Sequence, residues 1–307
     1  MIHLETKPWI EKYRSKTIDE VIGHNEAKII LKKMIKNKNF THLLFYGKPG
    51  TGKTTIINAY ARELYGDTMN QNVLELNASN DRGINVVRTT ILSFVKNKVV
   101  DNPSGVKFNL IILDEADAIT IDSQMALIKI IEEYSETTQF CFICNYIQKI
   151  IYPIISRCIQ IPFTNLNVID IKNHLINISQ KENLSIEDNI IDCIIKISNY
   201  DLRKAIGILQ NIKYYQKIKL ISEKALYDLT GEIPDDIINM LYEKNKIKVY
   251  DKIYKSGYSI KKIGEKLLDN NINILILDQI KNILKIIYRI NNGADEYLQF
   301  MYLLSIL

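Results

Sequence analysis

The sequence predicts an α/β fold in which a parallel sheet, covered by helices on both faces, is followed by an all-helical remainder. Three observations carry that reading. Up to about residue 163, short apolar runs alternate with helically spaced segments, the pattern of strands joined by crossover helices. Beyond residue 164 the strand-like runs stop. Between Gly47 and Thr54 the chain reads GKPGTGKT, a glycine-rich loop set between an apolar run and a helical segment.

The elements follow in order. Strands are expected near residues 42–46, 73–76, 108–113, 139–144 and 158–161, so that residues 1–163 make the first domain. THLLFY, from Thr41 to Tyr46, reads as a buried strand, and TIINAYAREL, from Thr55 to Leu64, as the helix after the loop. Val168 to Lys181 and Ile190 to Ser198 have helical spacing, which makes residues 164–231 a small helical domain. Thr230-Gly231-Glu232-Ile233-Pro234 punctuates the chain as a linker. Residues 232–307 then hold about five more helices. Their isoleucine and leucine stripes suit either a bundle core or faces turned toward neighbouring subunits.

The loop has a specific chemistry. Gly47, Gly50 and Gly52 let the backbone turn its amides inward around a phosphate, through dihedrals that a Cβ would resist. Lys53 then reaches the β and γ phosphates of a bound triphosphate. The Thr54 hydroxyl is placed to ligate Mg²⁺ at the start of the next helix, where the dipole favours an anion. Downstream, the apolar run Leu110 to Leu113 leads into Asp114-Glu115-Ala116-Asp117. At this spacing Asp114 holds the metal through water, and Glu115 orients and polarises an attacking water. The letters DEAD invite a reading as a DEAD-box helicase, but that requires a second motor domain, and the residues after about 165 offer none.

Composition narrows the class. With 307 residues, 47% hydrophobic and 24% charged, the chain suits two or three domains with ample core. It shows neither a twenty-residue apolar span nor a signal pattern, so an intracellular soluble protein with no membrane partner is expected. Cys141 and Cys144 form a C-x-x-C inside the apolar run FCFICNY with no second pair nearby, which favours buried thiols over zinc. A net charge of +5 permits a polyanionic partner without demanding one.

Six segments carry a closer resemblance. PWIEKYR from Pro8, ELNASNDRGI from Glu75, LDEAD from Leu113, Cys144-Asn145-Tyr146, Ser156-Arg157-Cys158 and DLRKA from Asp201 occur in the order and spacing of one family. The chain resembles the small subunits of replication factor C, the sliding-clamp loader, an AAA+ ATPase. The likeness covers nearly all of residues 5–210, and the C-terminal helices match only in type. It implies an AAA+ RecA-like parallel-sheet domain, a helical lid domain at 164–231 and a C-terminal helical collar at 232–307 that joins subunits.

The resemblance assigns further roles. Asn145, at a strand end beside the Asp114 strand, is similar to the sensor 1 position, whose amide meets the γ phosphate or the attacking water. Arg203 opens a helix and resembles sensor 2, a cation that clamps the lid over the nucleotide. Arg157 resembles an arginine finger inserted into the neighbouring subunit's ATP site, where it offsets charge on the transferred group. Ile10 and Ile22 match apolar walls of the adenine and ribose side, and Arg14 a polar contact there. Thus Ile10, Arg14, Ile22, Gly47, Lys48, Pro49, Gly50, Thr51, Gly52, Lys53, Thr54, Thr55, Asn145 and Arg203 form the expected ATP site, with Thr54 and Asp114 for Mg²⁺. Arg82 and Arg88, about two turns apart, are expected to follow a DNA phosphate backbone without reading bases.

Some positions depart from the family pattern. Lys48 and Ser15 stand where prolines are usual, and Ala126-Leu127-Ile128-Lys129 where Ala-Leu-Arg-Arg is common. The resemblance implies an ATPase subunit that opens a sliding clamp and loads it on primer-template DNA, in a hetero-oligomer, a pentamer, with other loader subunits and a PCNA-like clamp. It would work in the nucleus if eukaryotic, and in the cytoplasm or a replication compartment if archaeal or viral. The alternatives are a non-hydrolysing structural subunit and another AAA+ remodeller such as a helicase loader.

Overall fold

The computed structural model describes residues 7–79, 84–216, 222–243, 245–271 and 275–307. They divide into two compact units, 1–214 and 215–307.

The first unit is built on five strands: β1 (His42–Gly47), β2 (Val73–Asn77), β3 (Asn109–Asp114), β4 (Thr138–Cys144) and β5 (Cys158–Phe163). Each lies within a residue or two of its expected place. All pair in parallel, in the order β2-β3-β4-β1-β5. The three inner strands are buried almost throughout. This is why they read as continuous apolar runs rather than alternating ones, since helices cover both faces.

Alternate residues serve two cores. Leu43, Phe45, Leu110, Ile112, Cys141 and Ile143 pack against Ile56, Ile57, Tyr60 and Leu64 of the helix Lys53–Tyr65 and Leu31 of the helix Asn25–Asn37. On the other face Leu44, Ile111, Leu113, Phe140 and Phe142 meet Ile91, Leu127, Ile130 and Ile131 from the helices Ile84–Val95 and Ile121–Glu133. Each such side chain contributes about 1.5–3 kcal/mol on burial, so a charge at Ile112 would cost most of the domain's stability. Edge strands β2 and β5 are only partly buried.

Within the same unit, the helices Val168–Lys181 and Asp188–Ile197 follow the sheet, and the helix Leu202–Gln216 begins there and runs just past residue 214. The Asn167 side chain caps the first by accepting from the Ile169 amide. Asp201 opens the last, its Oδ1 accepting from the Lys204 amide at 3.1 Å.

The second unit is helical among its described residues: Glu223–Thr230, Asp235–Met240, Lys246–Ser256, Ile260–Asn271, Leu277–Asn291 and Glu296–Ile306. Gly231 ends the first of these in the left-handed conformation, and Pro234 precedes the next. Leu241, Val249, Ile253, Ile263, Leu267, Ile283, Ile286, Phe300 and Leu303 form one core. Leu277, Leu284 and Tyr288 share the opposite stripe of their helix and are exposed. The isoleucine and leucine pattern therefore supplies both a core and an uncovered apolar face.

Candidate nucleotide site

Because every strand runs the same way, their C-terminal ends share one edge of the sheet, where loops from different strands can converge on a ligand. Gly47 ends β1, Asn77 ends β2, Asp114 ends β3, and Asn145 follows β4. Asn77 and Asp114 are register partners, and Tyr46 pairs with Cys144.

Two glycines are dictated by space as well as by dihedral. Gly47 has φ 142°, and a Cβ there would stand 2.1 Å from the Phe163 carbonyl oxygen. Gly50 has φ 73°, and a Cβ there would stand 2.1 Å from Oδ1 of Asp201. The loop is thus held between β5 and the start of the helix Leu202–Gln216. Behind it, a ring nitrogen of His24 lies 2.9 Å from the Thr51 carbonyl, and its ring packs on Phe163 at 4.4 Å.

Lys53 is 7% exposed. Its Nζ donates to the carbonyls of Gly47 at 2.7 Å and Lys48 at 2.8 Å, and to Oδ1 of Asn145 at 3.2 Å. Burial lowers its pKa, opposed by the field of Asp114 and aided by that of Arg203. Among the described residues no carboxylate lies within ion-pair distance of this ammonium. A buried cation held only by neutral oxygens is matched to an anion, and the inward loop supplies the cradle. Beside it, Thr54 Oγ1 donates to Oδ2 of Asp114 at 2.8 Å. A hydroxyl and a carboxylate so paired are hard oxygen donors, the set suited to Mg²⁺ shared with phosphates. Asp114 Oδ1 accepts from the Glu115 amide at 2.8 Å. Glu115 itself takes the left-handed conformation, φ 54° and ψ 39°, uncommon for a non-glycine residue, with its carboxylate exposed.

These groups open on a cavity of about 490 Å³. The loop contributes Pro49, Gly50, Thr51, Gly52, Lys53, Thr54 and Thr55, and the strand ends contribute Asp114, Glu115 and Asn145. Ile10, Arg14 and Ile22 come from the N-terminal segment, and Arg203 from the helix after Asp201. Gly47 and Lys48 do not line it. They act through their carbonyls on Lys53, and the Lys48 residue is exposed. Arg157 also stands outside the cavity. Its Nη1 donates to the Pro153 carbonyl at 2.7 Å and its Nη2 pairs with Glu132 Oε1 at 2.5 Å. Arg82 lies outside the described residues. Arg88 falls in the helix Ile84–Val95, and its side chain is outside them too.

The cavity has linings that sequence reasoning missed, among them Glu75, Asn77, Tyr13, His174 and Ile206. Asn77 and Tyr13 sat in quoted motifs. His174 had no signal beyond its helix. Burial, aided by Lys181, holds its imidazole below the usual pKa and so neutral at neutral pH. Cys141 and Cys144 are buried and free, and burial pushes the Cys144 thiol up to about 12, so it is an inert packing group. No cluster of three or more His, Cys, Asp or Glu side chains suited to a metal occurs among the described residues.

Residues 43–165 match the model of the ATPase family associated with various cellular activities (AAA). The fold is shared with RuvB of Thermotoga maritima, a Holliday junction branch migration motor, at a TM-score of 0.59 and 18% identity over 78% of this chain and 80% of that one. Sheet order, phosphate loop and acidic strand end define an AAA-type nucleoside triphosphatase fold. The chain is 38% identical to replication factor C subunit 2 of Saccharomyces cerevisiae, covering 98% of this chain and 92% of the relative. It is also 38% identical to replication factor C subunit 4 of Homo sapiens (96% and 86%) and to the replication factor C small subunit of Methanococcus maripaludis (97% and 98%). The chain belongs to the replication factor C small-subunit family, which sets aside the reading as a different AAA+ remodeller. Among the described residues no helix is long and apolar enough to cross a membrane.

Proposed function

We propose that the chain is an ATP-hydrolysing subunit of a clamp loader, binding ATP with Mg²⁺ and turning it over when assembled with other loader subunits. The observation that carries this reading is the buried Lys53 ammonium, bonded only to neutral oxygens and set beside the Thr54–Asp114 pair. Intact Lys53, Thr54 and Glu115 also weigh against a purely structural subunit.

Each residue then has a task. The loop amides and Lys53 bind the phosphates, and Lys53 exchanges its bond to Asn145 for phosphate oxygens. Thr54 and Asp114 would hold Mg²⁺, which draws charge from the phosphates when bound. Glu115 accepts a hydrogen bond from the attacking water and aligns it with the γ phosphate, and Asn145 donates its amide to that water or to a phosphate oxygen. Arg203 answers charge on the γ phosphate from the lid side, within residues 164–231. Arg157 leaves Glu132 for the neighbouring subunit's triphosphate. ATP thereby joins subunits into a spiral that opens a PCNA-like clamp around primer-template DNA, and hydrolysis releases it. Arg82 and Arg88 follow the DNA backbone. Residues 232–307 form the collar, with the Leu277–Leu284–Tyr288 stripe as its contact face.

The test is Glu115→Gln, which keeps size and removes the acceptor charge. ATP affinity should stay within about twofold while turnover in the assembled complex drops by roughly 100-fold or more, within the range of general-base effects. Unchanged turnover would refute the hydrolytic assignment.

A further inference from the structure

The N-terminal segment Pro8–Arg14 and the helices after residue 164 are far apart in sequence, yet one carboxylate ties them together. Glu182, just past the helix Val168–Lys181, has a side chain only 5% exposed. Its Oε1 accepts hydrogen bonds from Nζ of Lys12 and from the Tyr13 hydroxyl. Its Oε2 accepts from Nζ of Lys213 at 2.5 Å. A parallel link runs alongside, in which the Trp9 amide donates to Oε1 of Gln210 at 3.0 Å and Lys213 Nζ lies 5.5 Å from the Trp9 ring centre. Three donors on one buried carboxylate satisfy its charge, which is the condition for keeping such a group in the interior.

The anchored residues sit among residues that line the cavity. On the N-terminal side Ile10, Tyr13 and Arg14 line it, and Tyr13 also bonds Glu182. On the helix Leu202–Gln216, Arg203, Ile206, Gln210 and Lys213 follow a spacing of three and four and so share one face. The first two of them line the cavity and the last two make the anchor. A stiff helix thus joins the anchor to the nucleotide wall. Its other end is fixed separately, where Asp201 packs on Gly50 of the phosphate loop. Holding the near end of Arg203's helix therefore does not depend on Glu182, whereas the placing of Ile10 and Arg14 does.

We propose that Glu182 is a positioning residue for the nucleoside side of the site, setting the N-terminal segment at a fixed distance from the helical segment so that both close on the same base and ribose. This rests on the reading of the cavity as an ATP site. It separates two parts of recognition: the phosphates are read from the sheet edge and the nucleoside from a wall that Glu182 assembles.

The experiment compares binding of ATP and of inorganic tripolyphosphate, each with Mg²⁺, to the full chain and to Glu182→Gln. ATP affinity should fall about tenfold, the effect of one lost charge-assisted contact set, while tripolyphosphate affinity stays within about twofold. Lys213→Met cuts the same link from the helix side and should show the same selective loss even if Glu182→Gln folds poorly. The double variant should lose no more than either single one, since all act through one anchor. ATP affinity unchanged in both variants, or an equal loss for the two ligands, would overturn the positioning role alone. A wild-type chain that bound neither ligand would overturn the nucleotide site itself, and the proposal with it.

Discussion

Lys53 and Arg157 are the two cations proposed to meet a triphosphate, and the fold holds them in opposite ways. Lys53 is buried, and three neutral oxygens fix its ammonium before any ligand arrives. Arg157 has a side chain 38% exposed, tied to a surface glutamate and one carbonyl. The first is preorganised for a ligand bound by this chain, because a buried group can be aimed without cost at the moment of binding. The second sits in a partly exposed surface pair, as its proposed role at another subunit's site requires. On the proposed roles, the subunit carries a complete binding site and an incomplete catalytic one.

The contrast can be tested from each side, beginning with binding to the isolated chain. Lys53→Ala removes the preorganised cation, worth about 3 kcal/mol of charge-assisted hydrogen bonding, so ATP affinity of the isolated chain should fall roughly 100-fold. A Kd within twofold of wild type would show that the buried ammonium is not a ligand.

Two carboxylates make the same point about exposure. Glu182 is buried, and although burial itself disfavours its charge, the hydrogen bonds from Lys12, Lys213 and Tyr13 prevail and hold its pKa at about 2, against 4.5 for an ordinary glutamate. A depressed folded-state pKa gives stability that is complete above the unfolded value and is lost as pH falls through the folded one. The first unit should therefore lose about 3 kcal/mol between roughly pH 4.5 and pH 2. Glu182→Gln should flatten that part of the acid-unfolding curve, and an identical curve would deny the charge its role. Glu132, half exposed in its pair with Arg157, should matter far less. Glu132→Gln is expected to change stability by less than about 1 kcal/mol and to leave ATP affinity unchanged by isothermal titration. A large loss there would mean that the pair is structural, and the idea of a readily released finger would fail.

How legible each region was follows the same divide between local and distant causes. The inner strands could be read because burial on both faces writes itself as continuous apolar runs such as LIIL at Leu110 to Leu113. The loop from Gly47 to Thr54 could be read because its glycines, lysine and threonine are consecutive. Asn77 carries no local signal of its own, because only its register with Asp114 brings it to the site. Glu182 was invisible because its partner Lys12 is 170 residues away, and no periodicity links two such positions. Arg157 could be read only through the family resemblance, since its proposed target lies outside the chain.

The most direct test of the incomplete-site account is ATP turnover with Arg157→Ala, measured in the assembled loader alongside ATP binding to the isolated chain. The account predicts unchanged binding and a loss of at least about 100-fold in turnover at the adjoining site, given what arginine fingers contribute. Equal turnover in variant and wild-type assemblies, or weakened ATP binding by the isolated variant, would contradict it.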